Sequence, residues 1–262
     1  MKEFIKDTKV VMLDLDGTVY LEGELIGDVK GTLNYFRDKG IQVVYLTNNS
    51  SGTDDAYYEK LKKMGIWDDR DIFYSSLDAG IDYLKAYYPD KTVYPVATES
   101  VTKHIQDCGI KVSEKADIVL LTFDKELTYK KLVIANELIV LGATYLSTHP
   151  DNTCPAKGVF IPDAGSFISL LKTSSGREPD KIIGKPFEVM ADMLASKLGV
   201  EKSQITMIGD RLHTDIAFGK NNGMNTILVL SGETTLEMAK VHEVKPDMIL
   251  EDINEIVKQN IM

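Results

Sequence analysis

The sequence predicts an α/β protein built on a parallel sheet. Short apolar runs alternate with amphipathic helical stretches along the whole chain, and turn-forming residues close most of the helices. Polar and acidic residues also gather where the apolar runs stop, which is where open parallel sheets bind ligands. With 262 residues, 44% of them hydrophobic, the chain has enough material for one large or two medium domains with a real core.

The first strand is the apolar run Val10-Val11-Met12-Leu13, short and β-branched enough to be buried on both faces. It delivers Asp14-Leu15-Asp16-Gly17-Thr18. Val19 to Ile26 reads as a small hairpin about a Glu-Gly turn, projecting over the two carboxylates. Asp28 caps a helix with Val29, Leu33 and Phe36 on one stripe, ended by Gly40. Gln42 to Leu46 is the next strand, followed by Thr47-Asn48-Asn49-Ser50-Ser51. Thr53 opens a helix with Tyr57, Leu61 and Met64 inward, and Gly65 closes it. Ile72 to Ser75 is a third strand.

From about Leu77 to Asp180 the alternation continues with enough elements for a domain of its own. Helices are expected over Asp78 to Tyr88, Glu99 to Cys108, from a Thr128 cap to Leu141, and Ala164 to Thr173. Extended segments are expected over Thr92 to Ala97, Asp117 to Thr122 and Thr144 to Thr148. The stretch His149 to Pro155 reads as an irregular loop. Lys181-Ile182-Ile183 then forms a short strand leading to Gly184-Lys185-Pro186, with Pro186 in the first turn of a helix that turns Phe187, Met190 and Leu194 inward. Ile205 to Ile208 is a strand ending in Gly209-Asp210-Arg211-Leu212-His213-Thr214-Asp215. Strands over Asn225 to Leu230 and Asp247 to Leu250 and a helix over Ile253 to Gln259 complete the chain.

Asp14 and Asp16, two apart in extended chain, start on the same side. Like charges so close repel unless a cation lies between them or one carries a proton. Three readings follow: a hard oxygen-ligand site, a nucleophile beside a general acid, or an ordinary aspartate turn. A Ca²⁺ loop is excluded, because the glycine of Asp14-x-Asp16-Gly17 comes too early for that motif. Thr47 and Asn48, Lys185 and Asp210 also follow strand-like runs, so four strand ends would bring these groups into one crevice.

Composition narrows the class. Cys108 and Cys154 show no pairing pattern, which points to a reducing, cytoplasmic compartment. No apolar run approaches a membrane span, and Met1 to Lys9 is too short and polar for a secretory signal. A formal charge of −10 argues against nucleic acid as a partner. It also requires local cations or a metal to attract a phosphorylated ligand.

In order and spacing, these motifs resemble the haloacid-dehalogenase-like (HAD) phosphohydrolases, in the branch of the NagD-type, p-nitrophenyl and pyridoxal phosphate phosphatases. Asp14-x-Asp16-Gly17-Thr18 is similar to the family's first motif, Thr47-Asn48-Asn49 to the second, Gly184-Lys185-Pro186 to the third, and Gly209-Asp210-x4-Asp215 to the fourth. The resemblance implies a Rossmann-like parallel-sheet core over residues 1–77 and 181–262. It places an inserted α/β cap at 78–180, between the second and third motifs.

The implied activity is Mg²⁺-dependent hydrolysis of small phosphomonoesters through an aspartyl-phosphate. Asp14 is then the nucleophile and Asp16 the acid and base. Mg²⁺ is held by Asp14, the backbone carbonyl of Asp16, and Asp210. Thr47, Asn48, Asn49 and Lys185 are assigned to phosphate. Asp215 is expected to orient metal-bound water or Lys185. His149, Asp151 and Asn152 lie on a cap loop of the type that contacts a leaving group. A small phosphorylated metabolite is the expected partner, with no membrane partner, and caps of this kind can pair, so a homodimer is among the expectations. Carbon–halogen hydrolysis needs neither Asp16 nor Asp210, and a phospho-acceptor module or non-catalytic anion-binding protein is disfavoured by an intact Asp16.

Overall fold

The computed structural model describes residues 7–156 and 158–262. The stretch Met1 to Lys9, read above as no secretory signal, lies outside the described residues as far as residue 6. The chain divides into two compact units: Met1–Thr47, Asp54–Tyr74 and Lys185–Met262 in the first, Asn48–Thr53 and Ser75–Gly184 in the second.

The first unit is organised on a six-stranded sheet in the order Met248–Leu250, Asn225–Val229, Ile205–Gly209, Val10–Leu13, Gln42–Thr47, Ile72–Ser75. Val10–Leu13 runs parallel to both neighbours, with Leu13 opposite Tyr45 on one side and Ile208 on the other. All four of its side chains are buried, as a strand covered on both faces requires. Because the chain leaves this strand for Gln42–Thr47 on one side and later returns as Ile205–Gly209 on the other, the sheet order reverses at Val10–Leu13. A crevice opens at such a reversal, beyond the strands' carboxyl ends. Asp28 caps helix Val29–Asp38, accepting from the Gly31 N–H, and Val29, Leu33 and Phe36 enter a core shared with Val11, Leu13 and Tyr45. The hairpin is present as Tyr20–Leu21 against Glu24–Leu25, turning through Glu22 and Gly23, both at positive φ.

The second unit has a five-stranded sheet in the order Lys181–Ile182, Thr144–Ser147, Ile118–Leu121, Thr92–Val96, Lys111–Val112, parallel at every pairing. Alternate side chains supply two cores. Val93, Ile118, Leu120 and Leu146 pack with helices Ser76–Tyr87 and Glu99–Asp107, while Tyr94, Val96, Val119, Leu121 and Tyr145 pack with Tyr129–Val140 and Ala164–Ser175. The Asn48–Thr53 segment is tied into this unit: Ser50 Oγ lies 2.8 Å from Thr148 Oγ1 and accepts from the Phe123 N–H at 2.9 Å, and Ser76 Oγ donates to the Asn48 carbonyl at 2.6 Å.

Several expectations need correction. Lys181–Ile182 pairs with Thr144–Ser147 and so belongs to the second sheet; Lys185 is therefore not delivered by a strand of the first. The helix expected from Asp78 begins at Ser76, because Ser75 and Asp78 form a reciprocal capping box. The last three residues of the supposed irregular loop belong to a hairpin, Thr153–Ala156 against Val159–Pro162. Pro186 precedes the helix Glu188–Leu198, whose N-cap is Phe187; that side chain is 38% exposed, because a cap residue lies off the buried stripe of Met190 and Leu194. Short pieces at Lys111–Val112, Leu212–Ile216 and Leu236–Val241 carry too few residues to show a period, and none was anticipated.

Candidate active site

Asp14 directly follows the Val10–Leu13 strand, and its N–H extends the parallel ladder by donating to the Ile208 carbonyl at 3.0 Å. Asp210 follows Ile205–Gly209, the neighbouring parallel strand, so both carboxyls arrive at the carboxyl ends of the sheet's two central strands. Asp215 lies in the single wide helical turn Leu212–Ile216 and folds back to accept from the Arg211 N–H at 3.0 Å. One oxygen from each of Asp14, Asp210 and Asp215 falls within 4.8 Å of the others.

Lys185 is 2% exposed, and its Nζ donates to Asp14 Oδ1 at 2.6 Å and to Asp215 Oδ1 at 2.7 Å. Burial alone would lower its basicity; Asp14 and Asp215 outweigh that and hold the ammonium above its ordinary range. Burial raises Asp14 well above the carboxylate range, with Asp215 and Asp210 adding to it and Lys185 opposing. Asp210 is pushed up to about 6, first by burial and then by Asp215, against the Glu233 N–H, Arg211 and Lys185. The crowd of acid is thus under-neutralised by the cations present.

The chemistry of the donors fits a divalent cation. Asp210 Oδ2 accepts from the Glu233 N–H at 2.7 Å, while its Oδ1 is buried with no hydrogen-bond partner. A buried carboxylate oxygen left so is costly unless a ligand satisfies it. Both Asp215 oxygens are engaged, one by Lys185 and one by the Arg211 N–H, so Asp215 enters the cluster already committed. Backbone comes close around the acids. A side chain at Gly17 or Gly232 would put its Cβ 2.4 or 2.0 Å from Asp210 Oδ2, and one at Gly209 would meet Asp215 Cβ at 2.3 Å. Gly17 also sits at φ +88°, a conformation that favours glycine.

Asp16 is exposed to solvent, although the surrounding protein partly encloses and dehydrates its carboxyl. That enclosure raises its carboxyl, against the attraction of Lys60 and Arg211. Thr47 closes the strand beside Val10–Leu13. Asn48 and Asn49 are counted with the second unit. Asn48 Nδ2 donates to Asp151 Oδ2 at 3.1 Å, and Asn49 Oδ1 accepts from the Ser51 N–H and hydroxyl at 3.0 and 2.8 Å, an Asx turn. The His149 side chain is fully buried in the second unit, Nδ1 3.4 Å from Asp151 and Nε2 3.5 Å from Asp163, so it braces this loop from inside and is not presented to a ligand.

A whole loop escaped the sequence reading. The loop Ser231-Gly232-Glu233, after the Asn225–Val229 strand, joins the site at three points. Ser231 Oγ donates to the Gly17 carbonyl at 2.7 Å, the Glu233 N–H holds Asp210, and the Glu233 carboxylate pairs with Arg211 Nε at 2.9 Å. Its signal was available, since Ser231-Gly232 is a turn dipeptide at the carboxyl end of a strand in the same sheet.

Comparison with known proteins fits this geometry. Family models described as haloacid dehalogenase-like hydrolase and HAD-hydrolase-like match residues 11–111 and 182–256. An acid sugar phosphatase of Staphylococcus aureus is 35% identical over 257 residues, covering 97% of this chain and 99% of the relative. The chain belongs to the HAD-like hydrolases. Within that family its neighbours are NagD-like. The crystal structure of a 4-nitrophenylphosphatase from Thermotoga maritima has a TM-score of 0.93 at 36% identity, covering 98% of each chain. NagD from E. coli K-12 has a TM-score of 0.87 at 26% identity over 95% of this chain and 98% of that one.

Proposed function

We propose that the chain is a Mg²⁺-dependent phosphatase of small phosphomonoesters, sugar phosphates among them. The observation that carries this reading is the cluster of Asp14, Asp210 and Asp215 around buried Lys185, with Asp210 Oδ1 unsatisfied. The names of the relatives support the substrate class: acid sugar phosphatase and 4-nitrophenylphosphatase.

Asp14, the backbone carbonyl of Asp16, and Asp210 would hold the ion, which when bound neutralises charge between a carboxylate nucleophile and a phosphate dianion. Lys185 orients Asp14 through the 2.6 Å contact and carries positive charge toward the phosphoryl oxygens. Asp14 Oδ attacks phosphorus, forming an O–P bond as the ester P–O bond breaks. Asp16 delivers its proton to the departing alkoxide, and partial dehydration, which raises its pKa, suits a carboxyl that must still carry that proton. In the second step Asp16 takes a proton from water, whose oxygen attacks phosphorus and releases Asp14 and phosphate. Asp215 fixes Lys185 from the other side. Thr47 is proposed to meet the phosphoryl oxygens.

The test is release of p-nitrophenol from p-nitrophenyl phosphate. Turnover that EDTA abolishes and Mg²⁺ restores is expected; metal-independent turnover, or none with any phosphomonoester, would overturn the reading.

A further inference from the structure

Beside Asp16 lies a cation that this chemistry does not use. Lys60, on the helix Asp54–Lys63, places its Nζ 3.6 Å from the centroid of the Tyr20 ring. Tyr20 is bridged to Asp16 through the backbone and closes the Gly17 turn, its carbonyl accepting from the Gly17 N–H at 2.8 Å. The ring is fully buried and makes a fixed platform. Among the described residues no carboxylate comes within ion-pair range of Lys60. The other cations here are committed, Lys185 to Asp14 and Asp215, and Arg211 to Glu233. A half-buried ammonium held against an aromatic face, with no anion of its own, is placed to receive one.

Its position says where that anion would be. Asp16 is the proposed donor to the leaving alcohol, so groups around its carboxyl border the leaving group and not the phosphoryl oxygens. We propose that Lys60 is a specificity-determining residue that binds a second anionic group on the leaving alcohol, selecting phosphomonoesters that also carry a nearby carboxylate or phosphate. Such a substrate would otherwise be repelled by the acids of the site and by a chain of net charge −10, so a local cation is required. This inference rests on the phosphatase reading and deepens it. Burial lowers the basicity of Lys60 and Asp16 partly restores it, consistent with an ammonium still short of a partner.

The test compares two matched pairs of substrates under saturating Mg²⁺: ethyl phosphate with carboxymethyl phosphate, and phenyl phosphate with 3-carboxyphenyl phosphate. In the wild-type chain the carboxylated member of at least one pair should have the higher kcat/KM, by about tenfold. Lys60→Met should bring that ratio to unity or below, whatever happens to the absolute rates, and Lys60→Arg should keep most of it. Dissociation constants for the same ligands on Asp14→Asn, with and without Lys60→Met, should show the same loss of discrimination without turnover. A wild-type ratio near unity in both pairs, or one unmoved by Lys60→Met, overturns the proposal. Lys60 would then only brace Tyr20 and Asp16, which affects both members of a pair alike. Failure of all four esters to turn over would instead sink the phosphatase reading.

Discussion

Asp210 holds its proton to about pH 6, against an ordinary 3.8, because burial and Asp215 both disfavour its charge. The folded chain therefore binds that proton more tightly than the unfolded one. Its contribution to stability is complete below about pH 4 and is lost as pH rises through about 6. At 1.36 kcal/mol per unit the effect is on the order of 3 kcal/mol. In chelator, the melting temperature of the wild type should fall across that window more than that of Asp210→Asn, and parallel curves would refute the coupling. Asp14 carries a different expectation. Asp14→Asn keeps the shape of the side chain and its contact with Lys185 while removing the nucleophile, so p-nitrophenyl phosphate turnover should drop by at least roughly a thousandfold with circular dichroism unchanged. Near wild-type rates would assign the nucleophile elsewhere. At this scale much was legible, since Asp14, Asp16, Lys185, Asp210 and Asp215 are types whose spacing carries their chemistry. Arg211 and Lys60 were passed over because a cation on a loop or helix face looks like any other until its neighbours are known.

Among elements, the loop Ser231-Gly232-Glu233 shows how close packing, and not a polar side chain, can fix a ligand. Gly232→Ala would drive its Cβ into Asp210 Oδ2, 2.0 Å away, so either the loop or the carboxylate must move. The expected result is a rise of about tenfold or more in the Mg²⁺ concentration giving half-maximal activity, with little change in the melting temperature. An unchanged Mg²⁺ dependence would show that the loop only borders the site. A second measurement concerns the helix Ser76–Tyr87, where Ser75→Ala removes one half of the capping box. It should cost about 1 kcal/mol by denaturant titration, and no loss would mean that Asp78 caps alone. Caps such as Asp28 and Thr128 were readable because they act within four residues. Lys181–Ile182 was misassigned because a two-residue strand reads the same whichever sheet it joins.

Across the whole molecule the two units carry separate cores, one built on Val10–Leu13 and its neighbours and the other on Ile118–Leu121. Leu120→Ala, at a fully buried position of the second sheet, should cost roughly 2–5 kcal/mol. Hydrogen exchange should then rise in that sheet and its helices before it rises in strand Val10–Leu13; uniform acceleration would show a single cooperative unit. Among the described residues no helix is long and apolar enough to cross a membrane.

By itself the sequence determined the α/β alternation, most strand and helix positions and the acidic signature at the strand ends, because apolar period, capping and turn chemistry are local. Tertiary structure alone decided which sheet each short strand entered and that Asn48 to Thr53 pack with the second unit. Only it buried the His149 side chain, and only it brought Ser231-Gly232-Glu233 to Asp210 and Lys60 toward Asp16. Those outcomes depend on pairings between residues far apart in the chain, for which a local pattern holds no information.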